Sequence, residues 1–180
     1  MSIKYSVIIP VYNEEKVLDW CYQEVKKTAE KFDDVYELIF INDGSRDRSL
    51  DILKEIAQKD KTVKVISFSR NFGHQPAVSA GMKEASGQAL IILDADLQDP
   101  PEVVHEMIRK WKEGYDIVYG KRSKRAGEKP LKKLTAFLYY RFLARITGLN
   151  IPKDTGDFRL ISRKAADAII SMPEKNRYLR

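Results

Sequence analysis

Short runs of apolar and β-branched residues alternate, over residues 1–120, with segments in which apolar residues recur at helical spacing. The runs predict five strands, at residues 5–12, 36–41, 63–68, 90–93 and 116–120. The intervening segments predict four helices, at about residues 13–32, 48–60, 76–85 and 100–113. Strands that alternate with helices are typical of βαβ units, so the pattern predicts an α/β fold whose mainly parallel sheet is flanked by helices.

Polar residues and prolines mark the starts of these helices. Asn13 is predicted to cap the first helix, and Pro100 and Pro101 to open the fourth, because proline is tolerated at the first helical position. We interpret Asp47 and Asp99 as helix caps and not as catalytic groups.

The pattern changes after residue 120. Residues 121–130 carry five basic groups and predict a loop. Residues 131–147 predict a basic amphipathic helix, which fits either a helix lying in a membrane interface or an ordinary helix packed on the domain. Asp157 is predicted at a turn before a short apolar run, and Ser162 is predicted to cap a last helix.

Length and composition fit a single globular domain, since the chain has 180 residues and 43% hydrophobic content. The only cysteine, Cys21, excludes an internal disulfide and is expected to be buried or half-buried. The amino terminus runs straight into a strand pattern, and no apolar run approaches the ~20 residues of a membrane-spanning helix. We therefore expect a cytoplasmic chain that does not itself cross a membrane.

The charge of the chain is unevenly distributed. Residues 1–120 contain 16 basic and 21 acidic side chains, a net charge of −5, whereas residues 121–180 contain 16 basic and 5 acidic side chains, a net charge of +11. This asymmetry favours an anionic partner on one side of the protein, whether nucleic acid, an anionic membrane or a phosphorylated substrate. Solvated lysines without a partner are the alternative.

Carboxylates directly follow two of the predicted strands. Asp43 follows the second strand, and Asp94 and Asp96 follow the fourth. In open parallel sheets, ligands bind outside the carboxyl ends of the strands, so these acids lie where a binding site is expected. Carboxylates with phosphate and water are the ligands that magnesium prefers. A D-x-D pattern alone fits a metal site or a solvated acidic turn.

The histidines and tryptophans are assigned no part in the chemistry. His74 is placed in a loop or at a pocket edge and His105 on a helix surface, since neither has the spacing of metal ligands. Trp20 and Trp111 lie in helical patterns and are expected to be core or half-buried.

Four motifs in order carry a resemblance to a known family. They are Ser-Val-Ile-Ile-Pro-Val-Tyr-Asn-Glu at 6–14, Ile-Asn-Asp-Gly-Ser at 41–45, Asp-Ala-Asp-Leu-Gln-Asp-Pro at 94–100 and Thr-Gly-Asp-Phe-Arg at 155–159. Together they resemble family 2 glycosyltransferases of the GT-A fold, which is Rossmann-like. More narrowly, the chain is similar to polyprenyl-phosphate glycosyltransferases, the group of dolichol-phosphate mannosyltransferase and bactoprenol glucosyltransferase.

The resemblance implies an activated nucleotide sugar as donor, Mg²⁺ or Mn²⁺ as cofactor, and inversion at the anomeric carbon. It implies that residues 1–120 bind the nucleotide sugar and the metal. Residues 121–180 would be the basic acceptor-binding part of the same single catalytic domain. Members of this group often continue into transmembrane helices, which the sequence does not contain.

The resemblance also implies a role for individual residues. The nucleotide-binding residues would be Pro10, Tyr12, Glu14, Asp43 and Asp94. The metal ligands would be Asp94, Asp96 and Gln98. The acceptor phosphate would contact Lys121, Arg122 and Arg125, and the catalytic residues would be Asp157 and Asp96. Arg177 and Arg180 fit either a contact with the donor diphosphate or a solvated tail.

The leading hypothesis is transfer of a hexose from a UDP- or GDP-sugar to polyprenyl phosphate at the cytoplasmic face of a membrane, without nucleic acid as a partner. A lipid phosphate needs no general base, because its second pKa of about 6 leaves it anionic near neutral pH. Asp157 would then orient the acceptor or its basic partners. One alternative is a hydroxyl acceptor in polysaccharide or glycolipid synthesis, which would need a base. A remote alternative is a non-catalytic α/β module that binds nucleic acid.

Overall fold

A computed structural model describes residues 3–121 and 155–172 of the chain. Its strands are β1 (Tyr5–Val11), β2 (Tyr36–Asn42), β3 (Val63–Ser67), β4 (Ala89–Ile92), β5 (Ile117–Lys121) and β6 (Thr155–Ser162). Its helices are α1 (Leu18–Ala29), α2 (Ser49–Lys59), α3 (His74–Glu84), α4 (Val103–Lys112) and α5 (Arg163–Ser171).

The strands form one mixed sheet in the order β3-β2-β1-β4-β6-β5. The first four strands of this order pair in parallel, which confirms the predicted mainly parallel sheet. β6 was not predicted. It pairs antiparallel with both β4 and β5 and therefore separates them. Asp157 lies in this strand and not in the predicted turn.

Helices cover both faces of the sheet, which explains why the central strands are continuous apolar runs. All seven residues of β1 are buried. Val7 and Ile9 face a core shared with α1, α2 and α4, and Ile8 faces a second core shared with α3 and α5. Burying each of these side chains contributes about 1.5–3 kcal/mol, so β1 is held firmly at the centre of the sheet.

Two local predictions at the first helix are wrong. α1 begins at Leu18 and not at Asn13. Asn13 instead has a positive φ of 57°, and its side-chain oxygen accepts a hydrogen bond from the Arg46 backbone N–H at 2.8 Å. Trp20 is 52% exposed and not half-buried, whereas Cys21 is fully buried as expected.

The predicted cap of α5, Ser162, is confirmed, whereas the N-cap of α2 is Arg48 and not the predicted Asp47. An Asp47 carboxylate oxygen accepts the Ser49 backbone N–H at 3.0 Å. The Ser162 hydroxyl accepts the Ala165 backbone N–H at 3.2 Å at the start of α5.

Several predictions concern residues that the structure does not describe. They are the basic loop beyond Lys121 with Arg122 and Arg125, the amphipathic helix at 131–147, and Arg177 and Arg180. In the part of the chain that is described, no helix is both long and apolar enough to span a bilayer.

Candidate active site

A cavity of about 380 Å³ lies at the carboxyl ends of the parallel strands. Its lining includes seven of the residues singled out from the sequence: Pro10, Tyr12, Glu14, Asp43, Asp94, Asp96 and Asp157. Loop and helix residues complete the wall, with Asn71, Gly73 and His74 following β3. The structure therefore brings together side chains from four strand ends that are far apart in sequence.

The acidic turn after β4 contributes Asp94 and Asp96 to this cavity. The Gln98 side-chain amide donates to Asp96 Oδ2 at 2.7 Å, and the Gln98 backbone N–H donates to Asp96 Oδ1 at 3.2 Å. Leu97 has a positive φ of 48°, a backbone conformation that is rare for leucine. Gln98 itself does not line the cavity; it holds Asp96, the residue that does.

Negative charge accumulates at this end of the sheet. Burial, and then the charges of Asp96 and Asp47, raise the pKa of Glu14 above its ordinary value. A group of neighbouring carboxylates favours the binding of a cation, which relieves the repulsion between their charges. The site therefore suits a ligand that brings positive charge with it, such as a metal-bound diphosphate.

Asp43 joins the end of β2 to the loop that follows β3. The carboxylate is 3% exposed, and its two oxygens accept the backbone N–H groups of Phe72 and Gly73 at 2.7 and 2.9 Å. Each oxygen has a second lone pair available for another donor. Asp43 thus shapes the wall of the cavity and can still accept a hydrogen bond from a ligand.

Gly44 permits the close approach of this loop to β2. Its φ is +65°, and a Cβ atom at this position would lie 2.3 Å from the Arg70 carbonyl carbon. Alanine at Gly44 would therefore clash with backbone that cannot rotate away.

We expect Gly44→Ala to release the loop from Asp43. Hydrogen exchange at the Phe72 and Gly73 amides should become at least about tenfold faster, which corresponds to about 1.4 kcal/mol of lost local stability. Gly114→Ala is the matched control, because Gly114 has a φ of +103° but no atom within 4 Å of its Cβ position. Unchanged exchange at Phe72 and Gly73 in Gly44→Ala would contradict this account.

His74 contacts two of the predicted site residues. The sequence did not lead us to place His74 in the site. It is the first residue of α3, and its Nε2 atom lies 2.9 Å from Asp94 Oδ1. Its Nδ1 atom lies 4.0 Å from Asp157 Oδ2. The available signal was its position after the third strand, which places it at the same edge of the sheet as Asp43 and Asp94.

Asp157 enters the cavity from β6 and is paired with a cation. The residue is 7% exposed, and Arg159 Nη2 lies 3.3 Å from Asp157 Oδ1. Arg159 Nε also donates to the Asp157 carbonyl oxygen at 3.2 Å. The arginine compensates the charge of a nearly buried carboxylate and fixes its direction.

The side chains of the cavity fit a divalent cation. His74, Asp94 and Asp157 each offer a ligand atom, and these atoms lie within 4.8 Å of one another. Imidazole nitrogen and carboxylate oxygen are both common ligands of divalent metals.

The sequences of known relatives match almost the whole chain. It is 53% identical over 178 residues to the uncharacterized glycosyltransferase YkcC of Bacillus subtilis strain 168, covering 99% of this chain and 55% of that protein. It is 41% identical over 178 residues to the prophage bactoprenol glucosyl transferase homolog of Escherichia coli K12, covering 99% of this chain and 58% of that protein. The chain thus spans little more than half the length of these relatives.

The fold is similar to that of a solved glycosyltransferase. Glucosyl-3-phosphoglycerate synthase from Mycobacterium tuberculosis, in complex with Mn²⁺, UDP-glucose and phosphoglyceric acid, matches with a TM-score of 0.64 and 20% identity. The match covers 90% of this chain and 57% of that one, which confirms the predicted GT-A fold. The model of glycosyl transferase family 2 matches residues 6–170. The resemblance carried by the four motifs is therefore confirmed, and the chain belongs to glycosyl transferase family 2.

Proposed function

We propose that the chain is the catalytic part of an inverting hexosyltransferase that uses a UDP- or GDP-sugar as donor and polyprenyl phosphate as acceptor. The observation that carries the proposal is the convergence of Asp43, Asp94, Asp96 and Asp157 on one cavity in a family 2 fold. The relationship to the Escherichia coli bactoprenol glucosyl transferase homolog supports a lipid phosphate as acceptor.

The donor nucleotide would occupy the part of the cavity formed by Pro10, Tyr12, Glu14 and Asp43. Tyr12 is 42% exposed, so its ring offers a surface against which a base can stack. Asp43 would accept a hydrogen bond from a base N–H, in addition to those it receives from the loop. The donor diphosphate would then point toward the acidic turn after β4.

A divalent cation would be held at this turn by Asp94 and Asp96, and Gln98 would keep Asp96 in place. The solved mycobacterial synthase contains Mn²⁺ with its UDP-glucose. When bound, Mg²⁺ or Mn²⁺ would neutralise the charge that develops on the leaving diphosphate.

Transfer to a phosphate acceptor would need no strong base in the site. An acceptor phosphate oxygen would attack the anomeric carbon from the side opposite the diphosphate, and the bond from that carbon to the nucleoside diphosphate would break. The leaving diphosphate keeps the bonding electron pair, and no proton has to be removed from the anionic acceptor. Asp157 and Asp96 are the two proposed catalytic residues. Asp157 would orient Arg159 and the acceptor.

The basic residues at the end of β5 and after it would bind the acceptor phosphate. Lys121, Arg122 and Arg125 belong to the part of the sequence with a net charge of +11. Such a charge also attracts an anionic bilayer, and about 1 kcal/mol per basic residue near the surface is typical. We therefore propose that the protein works at the cytoplasmic face of the membrane, where a lipid acceptor is present.

Donor binding and acceptor dependence test this function together. In a thermal-shift panel with Mn²⁺ or Mg²⁺, one of UDP-glucose, UDP-galactose, UDP-GlcNAc and GDP-mannose should raise the melting temperature by several degrees. At 100 times the dissociation constant, a ligand adds about 2.7 kcal/mol of stability.

With the labelled donor and polyprenyl phosphate in detergent, label should enter a product that is organic-extractable and labile to mild acid. Transfer only to hydroxyl acceptors would overturn the lipid proposal.

A further inference from the structure

His74 and Asp94 are spaced as neighbouring ligands of one metal ion. In an octahedral site with bonds of about 2.1 Å, adjacent ligand atoms are about 3.0 Å apart. His74 Nε2 and Asp94 Oδ1 are separated by 2.9 Å, although they belong to different elements of the fold. A cation could replace the hydrogen bond between them without a large movement of either side chain.

The carboxylate on the other side of the His74 ring lies where it can orient that ring. Asp157 Oδ2 lies 4.0 Å from His74 Nδ1, and Asp157 is nearly buried beside Arg159. Histidines that bind metals commonly direct their second ring N–H at a carboxylate, which orients the ring and makes the coordinating nitrogen more basic. The geometry thus places two candidate ligands, Asp94 and His74, side by side. Asp157 lies on the far side of the imidazole ring, in the position of an orienting carboxylate.

We propose that His74 is a ligand of the divalent cation through Nε2, beside Asp94, and that Asp157 orients its ring. This inference rests on the proposed function, because it names a further ligand of the cation that accompanies the donor. It differs from the ligand set implied by the motifs, which contains only oxygen atoms from Asp94, Asp96 and Gln98.

A nitrogen ligand changes which metal the site prefers. Mg²⁺ is bound mainly through oxygen, whereas imidazole favours first-row transition metals in the order Mn²⁺, Fe²⁺, Co²⁺, Ni²⁺. The site should therefore bind Co²⁺ more tightly than Mn²⁺, and both more tightly than Mg²⁺. His74 is the residue that sets this difference.

Pulsed electron paramagnetic resonance of bound Mn²⁺ tests the inference directly. The chain has two histidines, so coupling of Mn²⁺ to a histidine ¹⁴N nucleus should be present in the wild-type protein and in His105→Gln, and absent in His74→Gln. His105 is a suitable control because it lies on α4 with its ring 5.7 Å from that of Phe32, away from the cavity. Glutamine at position 74 can still donate a hydrogen bond to Asp94 but has no imidazole nitrogen.

Titration calorimetry with Mn²⁺, Co²⁺ and Mg²⁺ alone gives the second measurement. His74→Gln should weaken Mn²⁺ and Co²⁺ binding about 10- to 100-fold and change Mg²⁺ binding less than about threefold. Absence of ¹⁴N coupling in the wild-type protein, or an equal loss for all three ions, would overturn the inference.

The two proposals fail in different ways. Sugar transfer with Mn²⁺ bound but no ¹⁴N coupling would leave the proposed function standing and remove His74 from the metal. Coupling through His74 without transfer to any acceptor would leave the ligand assignment standing and remove the function. If His74→Gln does not fold, the wild-type and His105→Gln spectra still decide the ligand assignment.

Discussion

Asp94→Asn is expected to lower the rate of sugar transfer by at least about three orders of magnitude, equivalent to about 4 kcal/mol of transition-state stabilisation. Asp94 lies two residues after the end of β4, lines the cavity and contacts His74. Asparagine is almost the same size and can still accept a hydrogen bond from His74, so the substitution removes mainly the negative charge. That charge is the part of Asp94 that would hold a cation against the donor diphosphate.

Initial rates with labelled donor, at saturating metal and acceptor, measure this effect. Asp99→Asn is the control, because Asp99 lies in the same turn, is absent from the cavity lining and has a comparable side chain. It should retain a rate within about threefold of the wild type, as expected for substitutions outside a site. A rate for Asp94→Asn within tenfold of the wild type would show that the carboxylate is not central to the reaction.

The carboxylate cluster could be predicted because it follows from a local pattern and a general rule. β1, β2 and β4 belong to apolar runs that stop at polar residues, and parallel strands end at the same edge of a sheet. Knowing where each run stops is then enough to place Asp43 and Asp94 together. No long-range contact has to be known in advance.

β6 could not be predicted because its place depends on a partner far away in sequence. Ile91 pairs with Leu160 and Ile92 with Arg159, and nothing near residues 155–162 indicates that they enter the sheet next to β4. The contact of His74 with Asp157 depends on this insertion, so a histidine without ligand spacing in the sequence gained its partners only in the fold. Asn13 is a similar case, since its side chain binds the Arg46 N–H across two loops.

Glu37 is a buried carboxylate outside the cavity that joins three strands and a turn. It is 2% exposed, and its Oε1 atom accepts hydrogen bonds from the Ser6 hydroxyl at 2.6 Å and the Ser86 backbone N–H at 2.7 Å. Lys64 Nζ lies 2.5 Å from Oε2. The Ser6 hydroxyl in turn accepts the Gly87 backbone N–H at 2.8 Å. Removal of Glu37 would leave the buried Ser6 hydroxyl and the part-buried Ser86 N–H without their acceptor.

We expect Glu37→Ala to reduce the free energy of unfolding by about 3 kcal/mol. Each buried donor that loses its acceptor costs about 1–3 kcal/mol, and the exposed Lys64 can return to water at little cost. Urea denaturation at pH 7 measures the change. Glu55→Ala, at an exposed position of α2, should alter stability by less than about 0.5 kcal/mol. Equal stability of the two variants would show that the Glu37 contacts are not needed for folding.

The pH dependence of the stability of Glu37→Gln distinguishes the effect of the Glu37 charge from the effect of its packing. Burial by itself would raise the pKa of Glu37, but hydrogen bonds from Lys64, Ser6 and Ser86 outweigh burial and hold the pKa below its ordinary value of 4.5. The unfolded chain therefore takes up this proton more readily than the native protein. The charge of Glu37 stabilises the fold above pH 4.5, and that contribution is lost as the pH falls through the lowered native pKa.

Glutamine resembles the protonated form, so the stability difference between wild type and Glu37→Gln should be largest at pH 7 and shrink steadily below pH 4.5. Other carboxylates titrate in the same range, but they are common to both proteins and cancel in the difference. Urea denaturation at pH values between 7 and 3 gives that difference directly. A constant difference would mean that Glu37→Gln acts through altered packing, whereas a shrinking one assigns the effect to the ionised carboxylate and its contact with Lys64.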